Sequence, residues 1–183
     1  WNLNQLWALA TPDIMNKWVE SLLEYYRVGG WLPNGPPGVE YCDIMGAQHE
    51  IPLMVSAYQK GIRNYDVDKA YEAVKKTLTT QGTALSSGGI VGNRHLDVYL
   101  KYGFVPYGEK SHHNVFGTTY EGPTSNTLEY AFDDWNAAQF AKALGYEEDY
   151  DYFTRRAYNY KNVFDSETKY VRPKSLKDAI GRV

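Results

Sequence analysis

The nine residues Thr127-Leu128-Glu129-Tyr130-Ala131-Phe132-Asp133-Asp134-Trp135 place three carboxylates in a stretch that otherwise reads as a buried helix. Taking a carboxylate out of water is costly unless it is paired or hydrogen-bonded. A fold that buries this stretch must therefore give Glu129, Asp133 and Asp134 a partner, a cation or a polar ligand, unless they cap or brace neighbouring helices. On a helical wheel Leu128, Ala131, Phe132, Trp135, Ala138 and Ala143 cover one broad arc, and Glu129, Asp133 and Asn136 form a stripe on the other side. Phe140 and Leu144 continue that stripe as apolar residues, so the polar end is expected to face a cavity.

The chain has 183 residues, enough for one domain with a sizeable core and short for two. Apolar residues make up 43% and charged residues 22%, an ordinary globular composition, and no apolar run is long enough to span a bilayer. With a net charge of −3 and cations scattered among acids, no basic stripe exists to neutralise phosphates, which argues against nucleic acid as a partner. The 17 Tyr and 5 Trp suit cores with wet edges and also stacking on sugar rings. Cys42 is the only cysteine, which excludes an intrachain disulfide and a Cys-type zinc site. The chain begins with Trp1 and shows no targeting segment, so it reads as a piece or a processed product with any signal peptide outside it.

Thr11-Pro12-Asp13 predicts a helix start, with Thr11 accepting from the first amides and Pro12 at the first helical position. Met15, Trp18, Val19, Leu22 and Tyr26 follow at helical spacing until Gly29-Gly30. Trp31 to Gly38 is a loop dictated by Pro and Gly. A second helix is expected from near Pro52 to Gly61. A third, capped by Asp66, carries Val67, Ala70, Tyr71, Val74 and Leu78, and the short link predicts an antiparallel hairpin. Thr79 to Gly92 reads as a loop, and residues 93–123 as irregular apart from a short helix over Leu96 to Tyr102. Thr124, Ser125 or Asn126 is then expected to cap a long helix to Leu144, with a capping-box relation between Asn126 and Glu129. After Gly145 a last helix opens on Glu147-Glu148-Asp149 and is expected to bury Tyr150, Phe153, Ala157, Tyr160 and Phe164, with Arg155, Arg156 and Lys161 later on. No strand of convincing alternation appears. The fold class is mainly α, built of antiparallel helical hairpins with long irregular loops at one end.

His49, in Met45-Gly46-Ala47-Gln48-His49-Glu50, can bind a substrate hydroxyl, act as an acid or base, or close the helix that follows. His112-His113 lies on a polar stretch without a third ligand at matching spacing, so it does not read as a metal site. Asn93-Arg94-His95 reads as loop. Glu129 and Asp133 are like charges four residues apart, an arrangement that a cation or ligand would relieve.

Several blocks in order resemble glycoside hydrolase family 92: Gly30-Trp31-Leu32-Pro33, Met45 to His49, Ala57-Tyr58-Gln59-Lys60-Gly61-Ile62, Asp68-Lys69-Ala70-Tyr71-Glu72-Ala73, Tyr102-Gly103-Phe104-Val105-Pro106, the Thr127 to Trp135 run, and Tyr160-Lys161-Asn162-Val163-Phe164-Asp165 with Arg172-Pro173-Lys174. The resemblance covers nearly the whole chain. It implies an exo-acting α-mannosidase (α-1,2-mannosidase-like), inverting and calcium-dependent, with a β-sandwich preceding an (α/α)6 toroid that bears most of the active site. Residues 1–183 would then be one partial toroid domain, and mannose-containing glycans the partners.

The chain departs from the family pattern in lacking the Trp-Asp-Thr segment expected before its start and the Glu-Gly-Asn and Gly-Asn-Asp-Asp segments expected after Lys174. Gln48 also differs from the residue often seen before the histidine. The general acid and base are expected in those later segments, so no catalytic role is assigned here. The resemblance implies that Glu129, Asp133, Asp134 and His49 line the sugar pocket, that Trp31 offers a stacking platform, and that calcium ligands are not identifiable in the chain. It further implies a secreted or periplasmic full-length protein. An incomplete toroid would be inactive alone, and its unburied inner faces would associate with the rest of the enzyme or with another copy. A non-catalytic carbohydrate-binding or structural helical module is the alternative from another class. An (α/α)6 enzyme acting on another sugar is a third reading.

Overall fold

The computed structural model describes residues 2–34, 41, 46–86, 90–109 and 122–180. Gly35 to Gly38, Cys42, Met45 and His112-His113 therefore lie outside the described residues. The molecule is mainly α, as the punctuation by Pro, Gly and capping residues predicts. Its first helices are α1 (Asn2–Ala10), α2 (Pro12–Gly29), α3 (Glu50–Gln59) and α4 (Val67–Thr79). They are followed by α5 (Leu96–Tyr102), α6 (Pro123–Leu144), α7 (Glu147–Ala157) and α8 (Leu176–Ile180). Among the described residues the sheet structure is two antiparallel ladders of two residues per strand, β1 (Thr83–Ala84) with β2 (Ile90–Val91) and β3 (Phe164–Asp165) with β4 (Tyr170–Val171).

α2 starts at Pro12 and ends where Gly30 adopts a left-handed φ of 76° and donates its N–H to Tyr26 O. Thr11 makes no side-chain cap, contrary to expectation. Its N–H already closes α1 on Trp7 O at 2.9 Å, and its ψ of 65° departs from the extended backbone that aims a cap oxygen at the second turn. The predicted face of α2 is buried at Met15, Val19, Leu22 and Tyr26, whereas Trp18 sits at the rim, edge-on to Trp7 at 5.7 Å. Asp66 caps α4 as expected, accepting the Lys69 N–H at 2.9 Å.

α3 and α4 pack mainly on α2 and α6 rather than on one another, so the expected hairpin is opened around the long helix. The core between them contains Met15, Val19, Leu32, Ile51, Met54, Val74, Leu78, Phe140 and Phe153. α6 and α7 do form a close antiparallel hairpin about Gly145, and Asp149 at the head of α7 reaches back to Tyr71 Oη at 2.7 Å and Lys75 Nζ of α4 at 2.7 Å. A second, smaller core of Leu96, Val98, Tyr99, Val105 and Tyr130 seats α5 on α6.

Two boundaries differ from expectation. α6 begins at Pro123 after Gly122 in a left-handed conformation, so Asn126 lies inside the helix, its N–H bonded to Gly122 O at 2.8 Å, and no capping box forms. After α7 the chain tightens into a 3₁₀ turn over Tyr158–Val163, drawn towards the end of α5 by Asn162 Nδ2, which donates to Gly103 O at 2.9 Å. That change of period leaves Tyr160 and Phe164 exposed, not buried as a continued α-helix would have placed them. Within the loop after α4, Gly82 and Gly92 permit a close approach that larger residues forbid: a Cβ on Gly82 would meet Val91 O at 2.5 Å, and one on Gly92 would meet the Trp31 ring at 2.7 Å.

Candidate functional site

α6 turns its acidic stripe inward. Asp133 is fully buried and Asn136 nearly so, while Trp135 is 52% exposed and Phe132 36%. The arc expected to pack in the core is therefore partly the open one. Inward packing on this helix is instead done by Tyr130, Ala137, Phe140 and Ala141.

The open side of α6 and the flank of α3 enclose a cavity of about 570 Å³ whose lining includes His49, Ser56, Phe132, Trp135, Asn136 and Gln139. His49 heads α3 without a capping bond from its side chain, which sets aside the capping role. Its Nε2 stands 3.9 Å from Glu129 Oε2, with 27% and 40% of the two side chains exposed. A carboxylate and an imidazole from two helices are thus brought together beside two aromatic faces and the amides of Asn136 and Gln139. Such a set can accept from and donate to hydroxyl groups while apolar ring faces stack on the aromatics.

Asp133 and Asp134, adjacent in sequence, face opposite ways. Asp133 Oδ2 accepts the backbone N–H of Gln48 at 3.0 Å and so ties α6 to the turn that opens α3. Burial pushes its carboxyl well above the usual range, and the charges of Glu50, Asp134 and Glu129 add to the effect. Glu50, buried at the start of α3, is likewise pushed by desolvation up to about 8. Asp134 points at α5 and α7, where its Oδ2 accepts from Tyr99 Oη at 2.8 Å and Arg156 Nε at 3.1 Å, and its Oδ1 lies 2.7 Å from Arg156 Nη2. Burial raises its carboxyl, with Arg156 and Tyr99 opposing. This is the bracing role; Asp134 has no surface on the cavity.

Trp31 is also away from the cavity. It is 8% exposed, its ring lies under Lys76 Nζ at 4.7 Å and against Gly92, and it anchors the loop rather than offering a platform. Nearby Asn34 Nδ2 donates to Ala47 O at 2.6 Å, linking that loop to the His49 turn. The aromatic faces that do reach the cavity, Phe132 and Trp135, lay inside the same nine residues but on the arc expected to be core. Gln48, Glu50 and Arg156 carried no local signal of their roles.

Among the described residues no group of three or more His, Cys, Asp or Glu is arranged to hold a metal. No helix among them is long and apolar enough to cross a membrane.

Residues 1–181 match the family model described as the glycosyl hydrolase family 92 catalytic domain. Among solved structures, the chain is similar to a family 92 inverting mannosidase from Bacteroides thetaiotaomicron, with a TM-score of 0.81 and 30% identity over 95% of this chain and 22% of that one. It is also similar to a family 92 α-mannosidase of the same organism in complex with mannoimidazole, with a TM-score of 0.78 and 30% identity over 96% of this chain and 21% of the other. An uncharacterized secreted glycosidase of Arthroderma benhamiae is 28% identical over 165 residues, which is 90% of this chain and 20% of that protein. The chain thus spans about a fifth of the length of these relatives.

Proposed function

This chain belongs to glycosyl hydrolase family 92, and we propose on that premise that it is the part of an exo-α-mannosidase, α-1,2-mannosidase-like, that contacts the terminal mannose of a glycan. The observation that carries the reading is the meeting of His49 and Glu129 at 3.9 Å beside the cavity lined by Phe132 and Trp135. In this role Glu129 accepts from sugar hydroxyls, His49 donates or accepts as its tautomer requires, and Trp135 or Phe132 stacks on a ring face. The 183 residues are read as one portion of an (α/α)6 toroid.

Inverting hydrolysis needs one carboxylic acid to protonate the leaving oxygen and one carboxylate to activate water on the opposite face. Neither role is given to a residue named here: Asp133 and Asp134 are buried, and Glu129, with 40% of its side chain exposed, stands beside the cavity through His49 rather than in its lining. The acid and base are read as belonging to sequence outside residues 1–183. Calcium enters through family membership, with its ligands outside the described residues. So do a secreted or periplasmic location and association of the exposed row Leu3, Leu6 and Leu9 on α1 with the rest of the enzyme or another copy.

The same geometry supports a second reading, a non-catalytic carbohydrate-binding helical module, because the described residues offer a binding wall without a paired acid and base at the cavity. An α-mannosidase assay with and without chelator, run on material whose intact mass is known, separates the two. Chelator-sensitive hydrolysis by a longer polypeptide carrying this sequence, with none by a 20.9 kDa chain, supports the enzyme reading. Mannose binding with no hydrolysis by the longer polypeptide supports the module.

A further inference from the structure

The turn that presents His49 is held from behind by two buried acids. Gln48 donates its backbone N–H to Asp133 Oδ2 at 3.0 Å, a link between residues 85 apart in the chain. Glu50, the first residue of α3, is buried on the other side of His49 and near enough to Asp133 for their charges to interact. His49 is thus the partly exposed middle of a three-residue turn whose two neighbours are both sealed into the protein.

The groups whose charges reach Asp133 are Glu50 from α3 and Asp134 and Glu129 from α6. Asp134 is already engaged by Arg156, and His49 faces Glu129. Asp133 Oδ1, Glu50 Oε1 and Gln48 Oε1 have no protein hydrogen-bond partner among the described residues. Two buried carboxylates here would present only acceptors to one another, whereas a protonated acid brings an O–H and keeps a carbonyl oxygen for the Gln48 N–H.

We propose that Asp133, with Glu50 beside it, is a positioning residue that fixes the Gln48–Glu50 turn through the Gln48 N–H and thereby sets the His49 imidazole against Glu129 at the cavity. It does so as the neutral acid. A carboxylate in this place would raise the charge of an all-acid neighbourhood, and a neutral acceptor is all that the Gln48 N–H requires. The assignment rests on the reading of His49 as sugar-facing, yet its first readout needs no sugar.

The test is NMR titration of the His49 imidazole in the wild-type protein, Asp133→Asn and Asp133→Ala, followed by titration with methyl α-mannoside. Asp133→Asn keeps an acceptor and the neutral state, so the His49 midpoint should stay within about 0.2 units of wild type. Asp133→Ala frees the turn; the midpoint should move by about half a unit or more and mannoside binding should weaken about tenfold. An unchanged His49 titration in Asp133→Ala overturns the assignment. Should Asp133→Ala not fold, Asp133→Asn decides alone: a fall of about one unit would mean that a charged Asp133 had been acting on His49 through its field, and would also overturn it. Wild-type protein that binds no mannoside, with His49 still responding to Asp133→Ala, would sink the sugar reading and leave the positioning role standing.

Discussion

Asp134 Oδ1 and Arg156 Nη2 stand 2.7 Å apart across the α6–α7 hairpin, and each residue lies eleven positions from Gly145. An antiparallel pair of helices folded at one glycine brings equidistant residues level, so the only buried arginine among the described residues meets its acid by the geometry of the turn. Tyr99 completes the site from α5 and draws that short helix onto the hairpin. Removing one partner leaves an uncompensated buried charge. Asp134→Ala or Arg156→Ala should therefore cost about 3–5 kcal/mol in urea unfolding, whereas Asp134→Leu combined with Arg156→Met should recover most of the loss. A single substitution costing under about 1 kcal/mol would contradict the bracing role.

Glu50 makes stability depend on pH. Its folded carboxyl sits at about 8 against an ordinary 4.5, so the native state holds the proton more tightly than the unfolded chain. The stabilisation is fully present below 4.5 and is lost as pH rises through about 8, a fall that can reach several kcal/mol. Asp133 acts in the same direction. Unfolding measured at pH 5 and pH 8.5 should show the decline, and Glu50→Gln should flatten it. Equal slopes for the two proteins would show that Glu50 is not the titrating group.

Gly92 combines a φ of 69° with contact to the Trp31 ring. Gly92→Ala should lower stability by about 2 kcal/mol, through backbone strain and displacement of Trp31. Near-neutral behaviour in thermal melts would mean that the loop gives way at little cost.

In the cavity wall and beside it, His49→Ala and Trp135→Ala, with Glu129→Gln against His49, remove groups that are at least a quarter exposed and hold little of the core. Each should change stability by no more than about 1 kcal/mol while weakening α-mannoside binding about tenfold, as calorimetry would read it. A variant that melts early and binds normally would move that residue from the site to the scaffold.

Much of the fold was legible because short-range chemistry wrote it: Pro12 and Gly30 bound α2, Asp66 caps α4, and Gly103 and Gly145 close α5 and α6 in left-handed conformations. The family was legible because several blocks agree in order. What sequence could not rank was which arc of α6 faces inward, since a wheel carrying both Trp135 and Asp133 is settled by what α3 supplies, and Gln48 supplies a backbone N–H that no side-chain pattern reports. Trp31 misled for a related reason, because a tryptophan in a Gly-Pro loop reads as a platform until Gly92 and Lys76 are seen to enclose it. α1 passed unread because its Leu3, Leu6 and Leu9 stay exposed and set up no stripe packed on a neighbour.

The most direct measurement follows the His49 imidazole and the Trp135 indole by NMR while the protein is titrated with methyl α-mannoside and, separately, with methyl α-glucoside. Saturable shifts are expected at both residues with the mannoside, abolished in Glu129→Gln and weaker with the glucoside. Shifts that avoid His49 and Trp135, or none at all with the mannoside, would contradict the placement of the sugar at this cavity.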